Sequence, residues 1–321
     1  MTDTMAGSTF KAAAVIGTGM MGPGIAAVLA SGGLRTVILS RDSERGSRAV
    51  ERATQQLSLL EEHGLLPSET AQRGRQLLSA STAYEASVAD VDIVIESGPE
   101  NMEFKQELFA RLDAATKPTA ILASNTSGLS ITDIASRCSH PERVLTTHFW
   151  NPPHLMPLVE IVKGKETDFA AVEAVRCLLQ RCGKTPVIVK KDTPGQLGNR
   201  LQMALVREAV NIVQQGIADA EAVDLAAKAG FGLRLPVYGI LEHQDMVGLD
   251  MGSAIVDYVS RDLSNHVGMP PLMREMLDRG ELGVKSGKGF YDWSRRDAEA
   301  VKARRDRFVL EMLKNGYVKP S

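Results

Sequence analysis

One stretch constrains this chain more than any other. Val15-Ile16-Gly17-Thr18-Gly19-Met20-Met21-Gly22 sets a G-x-G-x-x-G pattern directly after a short apolar run at 12–16 and at the opening of an apolar helical run at 22–30, which Gly32-Gly33 closes. Glycines at that spacing permit a tight strand-to-helix turn and close approach of the backbone to a pyrophosphate, whose charge the first amides of the helix can hold. Gly17, Gly19, Met20, Met21 and Gly22 are therefore expected to bind a dinucleotide.

The pattern around this motif repeats its logic. Short apolar runs at 36–39, 92–96, 120–123, 143–149, 158–162 and 186–189 read as buried strands, with helical patterns between several of them, as at 102–115 and 169–183. The stretch 43–78 reads as two charged helices split by Gly64-Leu65-Leu66-Pro67. Strands alternating with helices predict an α/β fold, a doubly wound, Rossmann-like, mostly parallel sheet. Beyond 190–195 the pattern changes to helices, at 197–215, 218–229, 253–263 and 271–279. A chain of 321 residues accommodates about two domains. The expected division is a dinucleotide-binding domain over 1–192 and an all-helical substrate and dimerisation domain over 193–321.

Charge and cysteine usage narrow the function. Lys and Arg total 37 against 39 Asp and Glu, so the chain is not built to neutralise a phosphate backbone, and no nucleic-acid partner is expected. No apolar run approaches the roughly 18 residues of a membrane span, and no secretory signal precedes the first strand, so no membrane association is expected. Cys138, Cys177 and Cys182 are too scattered for a disulfide framework or a metal centre, which points to a reducing, cytoplasmic setting and no bound metal.

The end of the second strand bears on which dinucleotide binds. An acid there holds the ribose 2′-hydroxyl of NAD; this chain has Leu39-Ser40-Arg41-Asp42. Ser40 removes the charge that repels a 2′-phosphate and Arg41 can pair with one, so the expected cofactor is NADP or NAD, with NADP favoured. The competing reading makes Arg41 a solvated side chain and gives the acid's role to Asp42.

The segment His148-Phe149-Trp150-Asn151-Pro152-Pro153-His154-Leu155-Met156-Pro157-Leu158-Val159-Glu160 ends one strand, turns, and returns on another. That path can bring Glu160 to the imidazole of His148, where a carboxylate at one ring nitrogen fixes the tautomer and leaves the other nitrogen to exchange a proton with a substrate hydroxyl. These residues resemble the 3-hydroxyacyl-CoA dehydrogenase family. The resemblance spans nearly the whole chain and includes Val94-Ile95-Glu96 with Pro99-Glu100-Asn101, Ser124-Asn125-Thr126-Ser127, Asp192-Thr193-Pro194-Gly195 with Asn199-Arg200, Asp245 with Val247-Gly248-Leu249-Asp250, and Lys285-Ser286-Gly287-Lys288-Gly289-Phe290-Tyr291.

That resemblance implies an NAD(P)-dependent dehydrogenase of fatty acid metabolism acting on a CH–OH group, with His148 as general base, Glu160 as its partner, and Ser127 and Asn199 contacting the reacting oxygen. It places Glu96 and Lys105 near the nicotinamide half of the cofactor and Asn125 in the cofactor-binding motif. It also implies a homodimer, as does the apolar content of 197–213 and 222–229. The implied substrate is a small molecule, a 3-hydroxyacyl-CoA. Three departures weigh on that last point. The helices after the second strand, which often carry several lysines in fatty-acid members, here contain Glu61, Glu62 and Glu69 with only Arg73 and Arg75 as nearby cations, Trp150 and Gln196 replace residues that are usually Phe, and Glu242-His243-Gln244 adds polarity. A free polar 3-hydroxy acid or sugar acid, as in gulonate-type relatives, is therefore the alternative. An alternative of another class is a catalytically silent nucleotide-binding structural or sensor protein, against which the intact His148, Glu160 and Ser127 argue.

Overall fold

The computed structural model describes residues 10–317. Its first compact unit is built on one sheet in the order β3-β2-β1-β4-β5-β6-β7-β8. The strands are β1 Ala12–Ile16, β2 Arg35–Leu39, β3 Leu78–Ser81, β4 Ile93–Glu96, β5 Ile121–Ser124, β6 Val144–Phe149, β7 Leu158–Lys163 and β8 Thr185–Val189. The architecture is the doubly wound sheet that the strand–helix alternation implies. Ala13 and Val15 enter the apolar cluster on one face, and Ala12, Ala14 and Ile16 the cluster on the other. A strand covered on both sides needs such an unbroken apolar run. The chain leaves β1 for β2 on one side and later for β4 on the other, and the crevice at that reversal is where open sheets of this kind take ligands.

All neighbouring strands run parallel except β6 and β7. The loop at 150–157 is too short for the crossover that a parallel partner requires, so the chain returns antiparallel. This one reversal sets His148 opposite Glu160. β3 is an edge strand of sequence Leu-Ser-Ala-Ser, largely exposed, and so carries no apolar run of the kind that marks the other strands.

The compact units divide after Asn199, beyond 192, where the change of pattern lies in the sequence. The reason is local. Gln196 donates to the Thr126 carbonyl, Leu197 and Gly198 donate to Glu160, and Asn199 donates to the Ser127 carbonyl, so this segment is tied into the first unit. The second unit, from Arg200, is helical, with α-helices that include Ala220–Ala229, Ile240–Val247, Leu249–Val259, Pro271–Asp278 and Ala298–Lys314. Val210, Met276 and Leu310 are buried, whereas Leu201, Met203, Leu205, Leu225, Met251 and Ile255 each leave half or more of their surface exposed. No helix among the described residues is long and apolar enough to cross a membrane.

Candidate active site

The glycine motif folds as its spacing demands. β1 ends at Ile16, Gly17 takes φ +120°, and α1 (Gly22–Ser31) begins at the third glycine. A Cβ on Gly17 would lie 2.4 Å from the Ser97 carbonyl oxygen, and one on Gly22 1.9 Å from that of Gly17, so larger residues are excluded. Around Gly19 the same test meets nothing within 4 Å, which leaves that side of the loop open to a ligand. Met20 is 73% exposed on the loop, while Met21 packs against the core. Open amides at a helix N-terminus suit a pyrophosphate, so the residues present fit a dinucleotide.

The loop opens onto a cavity of about 650 Å³ lined by Gly17, Thr18, Gly19, Ser40, Arg41, Arg45, Tyr84, Ser97, Phe104 and Arg111. Ser40 is buried at its wall. Asp42 is the N-cap of α2 (Ser43–Glu62): its carboxylate accepts from the Arg45 amide at 2.8 Å and pairs with the Arg45 guanidinium at 3.2 Å. Burial raises the Tyr84 hydroxyl, and the charges of Arg41 and Arg111 oppose that rise.

At the far end of β6, His148 Nδ1 lies 2.7 Å from Glu160 Oε2, with both side chains buried. Trp150 Nε1 donates to the same oxygen at 3.1 Å, and the Leu197 and Gly198 amides donate to Oε1 at 2.9 and 2.8 Å. Burial pushes the Glu160 carboxyl up, but the bonds from His148, Gly198 and Leu197 outweigh it and hold the group below its ordinary value. An ionised carboxylate only accepts, so Nδ1 carries a proton and Nε2 is the ring nitrogen left for proton exchange.

The remaining expected residues fall into three sets. Ser127 and Asn199 come together near this pair, Asn199 donating to the Ser127 carbonyl at 2.9 Å. Asn125 is a clamp: its Oδ1 accepts from the Phe149 amide at 2.8 Å and its Nδ2 donates to Ser97 Oγ at 3.4 Å. Glu96 and Lys105 are buried against one another, with Lys105 Nζ 2.7 and 2.8 Å from the two carboxylate oxygens and Ser124 Oγ donating to Glu96 at 2.7 Å. Neither lines the cavity beside the glycine turn; they are a buried pair at the end of β4. The residue that shapes the loop at 126–128 is Glu100, whose role no sequence pattern signals. Its Oε1 accepts from Thr126 Oγ1 and from the amides of Ser127 and Gly128 at 2.6, 3.0 and 3.1 Å.

Residues 12–193 match the family described as 3-hydroxyacyl-CoA dehydrogenase, NAD binding domain, and residues 195–293 match 3-hydroxyacyl-CoA dehydrogenase, C-terminal domain. The 5-formyl-3-hydroxy-2-methylpyridine 4-carboxylate 5-dehydrogenase of Mesorhizobium japonicum is 36% identical over 92% of this chain and 95% of its own. The 3-hydroxybutyryl-CoA dehydrogenase of Bradyrhizobium diazoefficiens is 34% identical over 92% of this chain and 99% of its own. A crystal structure of a 5-formyl-3-hydroxy-2-methylpyridine 4-carboxylic acid 5-dehydrogenase, described as an NAD+ dependent dismutase, superposes with a TM-score of 0.89 at 34% identity, over 96% of this chain and 99% of that one.

Proposed function

Because the chain belongs to the 3-hydroxyacyl-CoA dehydrogenase family, we propose that it is an NAD(P)-dependent dehydrogenase that interconverts the hydroxyl and carbonyl forms at C3 of a 3-hydroxyacyl substrate. The observation that carries this reading is the buried His148–Glu160 pair. In the oxidising direction His148 Nε2 takes the hydroxyl proton, and the imidazolium so formed is stabilised by the carboxylate already bonded to Nδ1. Ser127 and Asn199 supply a hydroxyl and an amide for the reacting oxygen, where negative charge develops. The amides of the Gly17–Gly22 turn and the wall at Ser40 and Arg41 hold the dinucleotide. When bound, its nicotinamide accepts or donates hydride at the substrate carbon.

A second reading of the substrate, a free carboxylic acid in place of the coenzyme A ester, has specific support. Among the few cations near the acidic stretch from Glu61, Arg75 is already neutralised by Glu61 at 2.7 Å, which weakens attraction for a polyanionic carrier. The Mesorhizobium relative, by its name, acts on a pyridine carboxylate. The deciding experiment is a turnover panel of coenzyme A thioesters against free hydroxy acids with NADH and NADPH. Turnover of acetoacetyl-CoA supports the first reading, turnover of free acids alone the second, and no turnover of any member removes both.

A cytoplasmic homodimer completes the proposal. Cys138, Cys177 and Cys182 are all free thiols, as a reducing compartment keeps them. The exposed apolar side chains of the helical unit form more unpaired surface than a monomer ordinarily presents.

A further inference from the structure

The proposed chemistry uses His148 and Glu160 but assigns nothing to Trp150, whose side chain neighbours both members of the pair. The indole Nε1–H donates to Glu160 Oε2, the same oxygen that faces His148. Its ring lies 5.6 Å from the imidazole, tilted by 54°. Its far edge closes on Gly198, where a Cβ would lie 2.4 Å from Cζ2 and 3.2 Å from Cε2 and Cη2. Gly198 in turn donates its amide to Glu160 Oε1. The indole is thus wedged between the imidazole on one side and, on the other, the main chain that caps the second carboxylate oxygen.

We propose that Trp150 is a positioning residue: packed against Gly198, its indole locks the rotation of the Glu160 carboxylate and shares Oε2 with His148, so that it governs how strongly Glu160 holds the imidazole's proton. This rests on the reading of His148 as the acid–base group. A carboxylate held by one imidazole and two amides can still rock about its last side-chain torsion. A fourth donor, itself immobilised by packing, removes that freedom. The indole N–H also draws negative charge from the oxygen that faces the imidazole, which moderates stabilisation of the imidazolium. Glu160 is an ionisable side chain hydrogen-bonded to both rings. The neighbouring strand end contributes the neutral Asn125, and the segment after β8 contributes backbone amides.

The test has a kinetic and a spectroscopic arm. With acetoacetyl-CoA and NADPH, Trp150→Phe keeps an aromatic ring but loses the donor. Its kcat is expected to fall about tenfold, the scale of one hydrogen bond to a charged group, with the alkaline limb of the reduction pH profile, where the imidazolium loses its proton, moved to higher pH. Gly198→Ala should be slower still, because the new methyl displaces the indole. Trp150→Phe added to Gly198→Ala should restore activity toward the Trp150→Phe level, because the shorter ring vacates the space. A Trp150→Phe variant with unchanged kcat and pH profile, or a double variant as slow as Gly198→Ala, overturns the proposal.

The spectroscopic arm needs no turnover. The chain has two tryptophans, so Trp293→Phe leaves Trp150 as the sole indole emitter. Its emission should fall on acidification as an imidazolium forms beside the ring, and this transition should vanish when His148→Gln is added. Emission that is flat, or that titrates unchanged without His148, overturns the assigned contact. A transition that behaves as expected in a protein that turns over no member of the substrate panel leaves the contact standing and removes the catalytic reading instead.

Discussion

His148 and Glu160 are direct partners in the antiparallel β6–β7 ladder, and the register alone brings Nδ1 within 2.7 Å of Oε2. Both residues sit on strands of the sheet rather than on the glycine turn, so each can be replaced with little effect on the dinucleotide crevice. His148→Gln is expected to lower kcat by ~10²–10⁴, the usual range for loss of a general acid–base group, with NADH and NADPH binding intact by fluorescence titration. Glu160→Gln should also be slow, because an amide cannot stabilise the imidazolium as a carboxylate does. Turnover near wild type in either variant would sink the mechanism.

β6 is anchored at its other end by Arg143, which is buried and bonded to the Asp113 carboxylate at 2.6 and 3.1 Å and to the carbonyls of Asp113, Lys117 and Ala120. Arg143→Met strands the carboxylate and should cost about 3–5 kcal/mol in urea unfolding, the range for breaking a buried pair. Burial raises the Asp113 carboxyl, but Arg143 and the Ser139 and His140 amides outweigh it and the group sits below its ordinary value. A depressed folded value means that this contribution is complete above the unfolded value, near pH 4, and is lost as pH falls through the folded one. Asp113→Asn should therefore flatten part of the acid side of the stability–pH curve. A cost under about 1 kcal/mol for Arg143→Met, the scale of an exposed pair, would show that the network contributes little.

The helical unit exposes Leu201 and Leu205 one turn apart on helix Gly198–Gln214. In a homodimer these side chains are covered, and the pair Leu201→Glu with Leu205→Glu should shift the protein to monomer while the circular dichroism of the sheet persists. Light scattering at micromolar concentration reads both states. A wild type that scatters as a monomer removes the homodimer from the proposal.

Much of this molecule is legible in its residues, for reasons that differ by element. β1, α1 and the glycine turn announce themselves because a strand buried on both faces and a ligand-facing turn admit few residue types. The His148–Glu160 contact follows from two strands and a short turn, since that turn forces the antiparallel return. β3 escapes notice because an exposed edge strand has no apolar run to mark it. Glu100 carries no pattern that distinguishes it from an ordinary helix-preceding acid; only its folded position shows it gathering three donors. The Trp150–Gly198 contact joins residues on either side of β7 and β8, and no local spacing encodes it. What periodicity reports is burial, and what it omits is which buried side chains meet.

The final prediction concerns the cofactor: NADPH is expected to bind in preference to NADH. Ser40 presents no charge to a 2′-phosphate, and Arg41 lines the same cavity with Arg45, Tyr84 and Arg111. Asp42, the alternative acid for the ribose, has its carboxylate engaged in capping α2 and in pairing with Arg45. A hydrogen bond to a charged group contributes about 1.5–3 kcal/mol when well formed, which corresponds to roughly ten- to a hundredfold in affinity. Against this stands the similar crystal structure described as NAD+ dependent. Two readouts separate the cases: the dissociation constants of NADPH and NADH by fluorescence titration of the free protein, and kcat/KM for each. Ser40→Asp with Arg41→Ala should reverse the order in both, because it restores an acid for the 2′-hydroxyl and removes the cation. Tighter binding of NADH by the wild type would make Arg41 a solvated side chain and return the pocket to NAD.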